Sequence, residues 1–96
     1  MQINYTGLNM EVTAALKTFT TNKLEKLSRY ADKISDIHVT FDVDKLRQIA
    51  EAKIMVPGTE IHARSESENM YKTVDILIDK LKRQLDKYKN KLVEHR

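Results

Sequence analysis

The chain contains 96 residues, of which 41% are hydrophobic and 32% are charged, so it has the composition of one small globular domain over residues 1–96. It has no cysteine, which excludes disulfides, thiolate metal ligands and a cysteine nucleophile. The formal net charge of +3 is too small to identify a partner, so the distribution of the charges has to carry that argument.

The first predicted elements are a strand and a helix. Residues 2–7 alternate apolar and polar side chains up to Gly7, which predicts a strand. Thr13 is a suitable N-cap for a helix that we expect to continue to about Tyr30. The apolar face of this helix consists of Leu16, Phe19, Leu27 and Tyr30, with Leu24 at its margin. A basic flank beside that face consists of Lys26, Arg29 and Lys33, with Lys23 near the apolar edge.

The middle of the chain predicts three further strands. Residues 37–43 alternate strictly between apolar and polar side chains, and residues 44–48 are expected to form a polar loop. A third strand at residues 50–56 ends at Pro57-Gly58, because proline fixes φ at the second position of a turn and glycine permits a positive φ at the third. Residues 61–65 form the fourth strand. The inward side chains of these last two strands are Ala50, Ala52, Ile54, Val56, Ile61, Ala63 and Ser65.

The last third of the chain predicts a long amphipathic helix after the N-cap Asn69. Its apolar stripe recurs every three or four residues and consists of Met70, Val74, Leu77, Ile78, Leu81, Leu85, Tyr88 and Leu92. An adjacent flank carries cations only, namely Lys80, Arg83, Lys87 and Lys91. The other side of the helix mixes both signs, with Asp75, Asp79 and Asp86 beside Lys82 and Lys89.

The order β-α-β-β-β-α predicts an α+β fold, a two-layer sandwich. Because each strand alternates, one face of a four-stranded mixed sheet is apolar, and we expect both helices to pack on it. The first helix is long enough to join two parallel strands. If the helices lie side by side, their two basic flanks form one groove or ridge.

The basic flanks have two interpretations. Charged residues often do no more than solvate a helix surface. A strip of one sign on each of two helices, however, suits the phosphate backbone of a nucleic acid. The alternative from another class is a domain that binds protein through its exposed sheet face or its edge strands. Tyr71, at the edge of the apolar stripe, is better interpreted as packing against the rim of the sheet than as stacking on a base.

No pattern for catalysis or for a cofactor is found in the sequence. The histidines His38, His62 and His95 lack metal-ligand spacing, no glycine-rich phosphate loop occurs, and no nucleophile has a base beside it. We therefore expect a protein that is not an enzyme and holds no metal or cofactor. Without a signal peptide or an apolar run long enough for a membrane span, we expect a cytoplasmic protein with no membrane partner.

The sequence also resembles a known family. Asn69-Met70-Tyr71, Asp79-Lys80-Leu81 and Arg83-Gln84-Leu85, together with Asp75, Leu77 and Lys87, are similar to the "DMY…ID.L.DKL.RQL.K.K" signature of ribosome hibernation promoting factors. These belong to the ribosome-associated inhibitor and sigma-54 modulation protein family. The resemblance extends to Ile3, Thr6-Gly7, Leu16, Lys23-Leu24, Lys26-Leu27 and Glu60-Ile61-His62-Ala63.

The resemblance implies a fold akin to double-stranded-RNA-binding domains and binding to rRNA of the small ribosomal subunit, in the channel for mRNA and tRNA. It implies that the protein blocks translation and promotes ribosome dimers in stationary phase or starvation. The chain is similar to the short form, without a C-terminal dimerisation domain or an acidic tail, which acts with ribosome modulation factor. We expect it to be monomeric off the ribosome. Carried over by position, the rRNA contacts are Lys23, Lys26, Arg29, Lys80, Arg83, Lys87 and Lys91, to which the basic flank of the first helix adds Lys33.

Overall fold

The computed structural model describes residues 1–94 and shows a two-layer α+β domain. Its elements are β1 (Gln2–Leu8), α1 (Ala14–Glu25), a 3-10 helix (Ser28–Lys33), β2 (Asp36–Asp44), β3 (Arg47–Val56), β4 (Thr59–Ser67) and α2 (Met70–Glu94). The strands form one sheet in the order β1-β2-β3-β4, in which β1 runs parallel to β2 and the other neighbours are antiparallel. The predicted fold class and the predicted mixed sheet are therefore confirmed.

One face of the sheet and the apolar stripe of α2 form the centre of the core. The fully buried apolar side chains of β2, β3 and α2 are Ile37, Val39, Phe41, Ala50, Ala52, Ile54, Val74, Leu77, Leu81 and Leu85. The alanines of β3 leave room for the leucines of α2 to approach the sheet. Fully burying one leucine side chain stabilises a fold by about 1.5–3 kcal/mol. This stripe therefore fixes which flanks of α2 are left in water.

Helix α1 is shorter than predicted and ends at Glu25. Its N-cap is confirmed, because the hydroxyl of Thr13 accepts a hydrogen bond from the N–H of Leu16 at 3.2 Å. Beyond the helix the N–H of Leu27 donates to the carbonyl of Leu24 at 2.9 Å, and the 3-10 helix follows. Residues three apart eclipse one another in such tight turns, so both leucines face the core. The prediction that Leu24 lies at the margin is wrong, since it is 0% exposed.

The polar loop predicted between the second and third strands is a two-residue turn. Asp44 pairs with Arg47, which leaves only Lys45 and Leu46 between β2 and β3. Lys45 has a φ of 60°, in the left-handed region that residues other than glycine seldom occupy. Neither residue of the turn is a glycine or an asparagine, so the sequence gives no signal for so tight a hairpin.

Glycine is required at two positions for different reasons. Gly58 lies between the paired residues Val56 and Thr59 and has a φ of 85°, as predicted for the third position of the turn. Gly7 is needed for space, because a Cβ at this position would clash with the carbonyl oxygen of Met10. The segment after β1 thus folds back closely over the strand.

Polar contacts define the start of α2 and attach its later part to the turn between β3 and β4. The side-chain oxygen of Asn69 accepts hydrogen bonds from the N–H groups of Tyr71 at 2.9 Å and Lys72 at 3.1 Å, which confirms the predicted N-cap. Towards the other end, the hydroxyl of Tyr88 donates to the carbonyl of Pro57 at 2.9 Å. The helix therefore has a defined start, and a side-chain bond attaches it to the β3–β4 turn about five helical turns later.

Helix α1 is attached to the sheet through Tyr5. The ring of Tyr5 stacks on that of Phe41 with a centroid distance of 6.0 Å, and its hydroxyl is hydrogen-bonded to the hydroxyl of Thr21 on α1. Burial raises the pKa of the Tyr5 phenol, the hydrogen bond with Thr21 lowers it, and the negative charge of Glu25 raises it. The neutral phenol is therefore the form that fits this site.

Three predicted features lie outside the described residues, namely the side chains of Tyr30 and Leu92, and His95. Within residues 1–94, neither helix combines the length and the apolar character that crossing a membrane requires. Over the same range, no group of histidine, aspartate and glutamate side chains is arranged to hold a metal ion.

Candidate nucleic-acid interface

The predicted basic flank of α2 is exposed along its whole length. We call its four residues, Lys80, Arg83, Lys87 and Lys91, the α2 row. Their spacing keeps them within an arc of about 80° on the helix. The α2 row lies beside β4: three of its side chains line a groove with His62 and Arg64, and the next groove along the strand includes Lys91.

Lys80 combines a structural contact with its exposed charge. Its ammonium group donates a hydrogen bond of 2.7 Å to the carbonyl of Arg64, on the edge strand β4. Among the described residues, no carboxylate lines the groove beside Lys80, and Glu60 borders only the next groove. The α2 row is therefore a strip of one sign on a fixed support.

A second groove lies between the helices, and we call it the α1–α2 groove. Its lining residues are Lys23, Lys26, Leu27, Arg29, Asp75, Ile78, Asp79 and Lys82. One of its lysines is already paired, because Nζ of Lys23 lies 3.2 Å from Oδ1 of Asp75. The side chains of Lys23 and Asp75 are 31% and 54% exposed, so water weakens the attraction between them. The α1–α2 groove thus holds both signs of charge, unlike the α2 row.

An aromatic pair adjoins the α1–α2 groove. The rings of Phe19 on α1 and Tyr71 on α2 meet edge to face, with a centroid distance of 4.9 Å and an interplanar angle of 82°. Lys23 joins this pair to the groove, since its Nζ lies 5.3 Å from the centre of the Phe19 ring. The packing role predicted for Tyr71 is therefore found, but its partner belongs to α1 and not to the rim of the sheet.

The prediction that the two basic flanks form one groove is wrong. Lys26 and Arg29 face the flank of α2 that carries the acidic residues, whereas the α2 row faces β4 on the other flank. The reason is the placement of the helices: α2 covers β3 and β4, while α1 is tied to β1 through Tyr5. Lys33 is exposed on the 3-10 helix and is not among the residues that line the α1–α2 groove.

The site also contains residues that sequence reasoning did not select. The sequence shows Asp75, Asp79 and Lys82 only as part of the helix side that mixes both signs, but in the structure they form one wall of the α1–α2 groove. Their signal was present in the sequence, since spacings of four and three residues place them on one side of the helix. What the sequence did not show is that this side faces α1.

The sheet face opposite the helices is polar, as predicted, and its charges are largely paired with one another. Arg47 and Arg64 approach the carboxylate of Glu66 at 3.0 and 3.6 Å, and His62 lies 3.0 Å from Glu51. The register explains the pairs, because it brings these outward side chains next to one another on β3 and β4. This face carries no strip of one sign that resembles the α2 row, as far as residues 1–94 show.

Sheet and helices together define a class of protein, a small α+β domain that carries exposed cations on its helical layer. Within that class the family can be named: residues 3–93 match the model described as "Sigma 54 modulation protein / S30EA ribosomal protein", and the chain belongs to this family. The family is one of ribosome-binding proteins without enzymatic activity, which supports the expectation that this chain is not an enzyme.

Similar proteins cover the chain from end to end. It is 47% identical over 95 residues to the ribosome hibernation promoting factors of Klebsiella oxytoca and Escherichia coli (strain K12), with 99% of this chain and 100% of each relative covered. A ribosomal subunit interface protein from Coxiella burnetii superimposes with a TM-score of 0.91 at 43% identity, over 94% of this chain and 99% of that chain. The N-terminal domain of Thermus thermophilus Protein Y superimposes with a TM-score of 0.85 at 27% identity, over 92% of this chain and 99% of that chain.

Proposed function

We propose that this protein is a ribosome hibernation factor that binds rRNA of the small ribosomal subunit in the channel for mRNA and tRNA. Bound there, it blocks translation and promotes dimerisation of ribosomes in stationary phase or starvation. The full-length similarity to ribosome hibernation promoting factors supports this role. The role places the protein in the cytoplasm, as a monomer off the ribosome that acts with ribosome modulation factor.

The α2 row is the observation that carries the RNA-binding part of the proposal. A phosphate backbone attracts cations through the release of its counterions, and each phosphate neutralised adds to the affinity. The α2 row offers four exposed cations, and no carboxylate lines its groove beside Lys80, Arg83 and Lys87 among the described residues. Phosphate contacts of this kind fix the position of a protein on RNA without reading its bases.

The mechanism we propose is occlusion. Cations on α2 hold the domain against folded rRNA, and the bulk of the domain then occupies space that mRNA and tRNA need. This requires a rigid support, and α2 is fixed on the sheet by the hydrogen bonds from Thr73 to the carbonyl of Gln48 and from Tyr88 to the carbonyl of Pro57. No chemical step is involved.

Sedimentation through sucrose gradients tests the proposal. Purified small subunits are run with and without the protein, and whole ribosomes are run in parallel. We expect the protein to move with the small subunit and to inhibit translation of a reporter mRNA in a cell-free system. A protein that stays at the top of the gradient at low and moderate salt would contradict the proposal.

A general binder of structured RNA is the second candidate, because the α2 row fits any phosphate backbone. Competition separates the two functions. An excess of free duplex RNA should leave the protein on small subunits if it recognises the ribosome, and should remove it if any folded RNA suffices. A protein-binding role of the exposed sheet face is less well supported, because its charges already pair with one another.

A further inference from the structure

We infer that the α1–α2 groove, with its adjoining aromatic pair, binds an unpaired RNA nucleotide whose base stacks on Tyr71. The inference rests on the proposed function, since it gives the same RNA-binding protein a second subsite with different chemistry. The α2 row would hold phosphates only, whereas this subsite would also contact a base.

Tyr71 has the exposure and the support that a stacking residue needs. Tyr71 is 42% exposed, and it is the only exposed aromatic residue among the described side chains. Its edge-to-face contact with Phe19 fixes the ring without covering both of its faces. A ring that is already held in place loses less conformational freedom when a base stacks on it.

The groove supplies the polar groups that a nucleotide requires. Tyr71 lies one helical turn before Asp75, so it continues the wall of the groove along α2. Lys26, Arg29 and Lys82 line the same groove and offer cations for the flanking phosphates. Aromatic platforms beside cations are the usual arrangement for single-stranded nucleic acids.

The carboxylates are the feature that distinguishes this groove from a simple phosphate site. Asp75 and Asp79 would repel a phosphate, but a carboxylate accepts hydrogen bonds from the amino groups on base edges. The charge of Asp75 is partly balanced by Lys23 at 3.2 Å. Because Asp75 is already in contact with Lys23, the groove suits a nucleotide that enters with its base towards Asp79 and its phosphates towards the cations.

Two substitutions of Tyr71 provide a matched test. Tyr71→Leu removes the ring, and Tyr71→Phe keeps it. The probes are a short single-stranded oligoadenylate and an abasic strand of the same length and charge. We expect Tyr71→Leu to weaken binding of the oligoadenylate by about 5- to 140-fold, the range of one base–aromatic stack. Tyr71→Phe should bind like the unchanged protein, and binding of the abasic strand should not respond to either substitution.

A fluorescence experiment makes the test independent of any loss of stability in the leucine variant. The chain contains no tryptophan, so Tyr71→Trp introduces a single reporter at the proposed stacking position. We expect oligoadenylate to quench this tryptophan, and the abasic strand to leave its emission unchanged. Equal quenching by both strands, or no loss of affinity in a folded Tyr71→Leu variant, would overturn the inference.

The subsite and the proposed function can fail separately. Sedimentation with small subunits depends on the α2 row, to which Tyr71 does not belong. If the unchanged protein sediments with small subunits but the fluorescence of Tyr71→Trp does not respond to bases, the subsite is refuted and the hibernation role stands. If the protein does not bind small subunits at all, the proposed function is refuted.

Discussion

The α2 row and the α1–α2 groove each hold four cationic side chains, yet their surroundings differ. The α2 row stands beside β4 with a groove free of carboxylates next to Lys80, as far as the described residues show. The α1–α2 groove contains two aspartates, and one of them pairs with Lys23. The comparison shows that a count of cations does not define an RNA-binding surface, because the neighbours of each cation set the field that a phosphate meets.

The difference originates in how α2 is rotated on the sheet. Its buried leucines point the flank with the α2 row towards β4 and the acidic flank towards α1. A one-signed strip next to a sheet edge stays accessible to a large RNA surface. A groove between two helices admits something smaller, such as a single nucleotide.

The largest effect is expected from charge reversal in the α2 row. Two opposite charges at contact distance attract by about 1 kcal/mol in water, and a charge reversal replaces this attraction with a repulsion of similar size. Arg83→Glu combined with Lys87→Glu should therefore cost about 4 kcal/mol and weaken binding to small subunits by on the order of a thousandfold. Both side chains are exposed, so the melting temperature should change little. Pelleting assays with small subunits provide the measurement.

The matched control reverses two cations on the other side of the molecule. Lys45→Glu combined with Lys53→Glu changes the net charge by the same amount, and both residues are exposed at the β2–β3 turn and on the open sheet face. This variant should keep most of its affinity. Equal losses in the two variants would mean that net charge, and not the α2 row, governs binding.

The salt dependence of binding should separate a free cation from a paired one. Removing the cation from one phosphate reduces the slope of log affinity against log salt by about 0.7–0.9. We expect such a reduction for Arg83→Gln and a much smaller one for Lys23→Gln, since Asp75 already offsets the charge of Lys23. Titrations at a series of salt concentrations measure both slopes. Equal changes of slope in the two variants would show that the ion pair makes no difference.

Removing a carboxylate from the α1–α2 groove should strengthen binding to small subunits, whereas removing a cation weakens it. Asp75→Asn frees Lys23 for a phosphate, so the affinity for small subunits should rise and the salt slope should steepen by at most about 0.7–0.9. The free energy of unfolding should fall by no more than about 1 kcal/mol, as is usual for an exposed ion pair. A lower affinity would indicate that Asp75 itself contacts the RNA or positions a group that does.

The smallest effect concerns the attachment of α1, which shapes the groove but not the α2 row. Burial raises the pKa of the Tyr5 phenol above its ordinary 10.0, so its stabilising contribution is complete below that pH and is lost as the pH rises through the higher pKa of the folded state. Tyr5→Phe should be less stable at neutral pH by about 0.5–1.5 kcal/mol, the net value of one hydrogen bond.

Urea unfolding at neutral pH and above pH 10.0 measures this difference. The unchanged protein should lose more stability at alkaline pH than Tyr5→Phe, so the two unfolding free energies should converge. If both proteins lose the same unfolding free energy at alkaline pH, Tyr5 does not contribute to the pH dependence as its buried environment indicates.

Strong periodicity made β2 and α2 predictable. Strict alternation in residues 36–44 and apolar spacings of three and four along α2 specify both the element and its buried side. The N-caps Thr13 and Asn69 and the turn at Gly58 were also predictable, since each depends on the chemistry of one residue.

Tertiary context decided what the sequence could not. The end of α1 at Glu25 depends on tight turns that bring Leu27 into the core, and nothing local marks them. The left-handed Lys45 gives no signal because lysine has no preference for that conformation. The relation between the two basic flanks required the rotation of α2 relative to α1, for which a helical wheel has no information.

Site-specific crosslinking tests whether the α2 row contacts rRNA of the small subunit. Because the chain has no cysteine, Lys87→Cys and Lys53→Cys each introduce one thiol that can carry a photoreactive group. We expect crosslinks to small-subunit rRNA from position 87 on the α2 row and few from position 53 on the open sheet face. Crosslinks from position 53 with none from position 87 would contradict the proposed role of the α2 row.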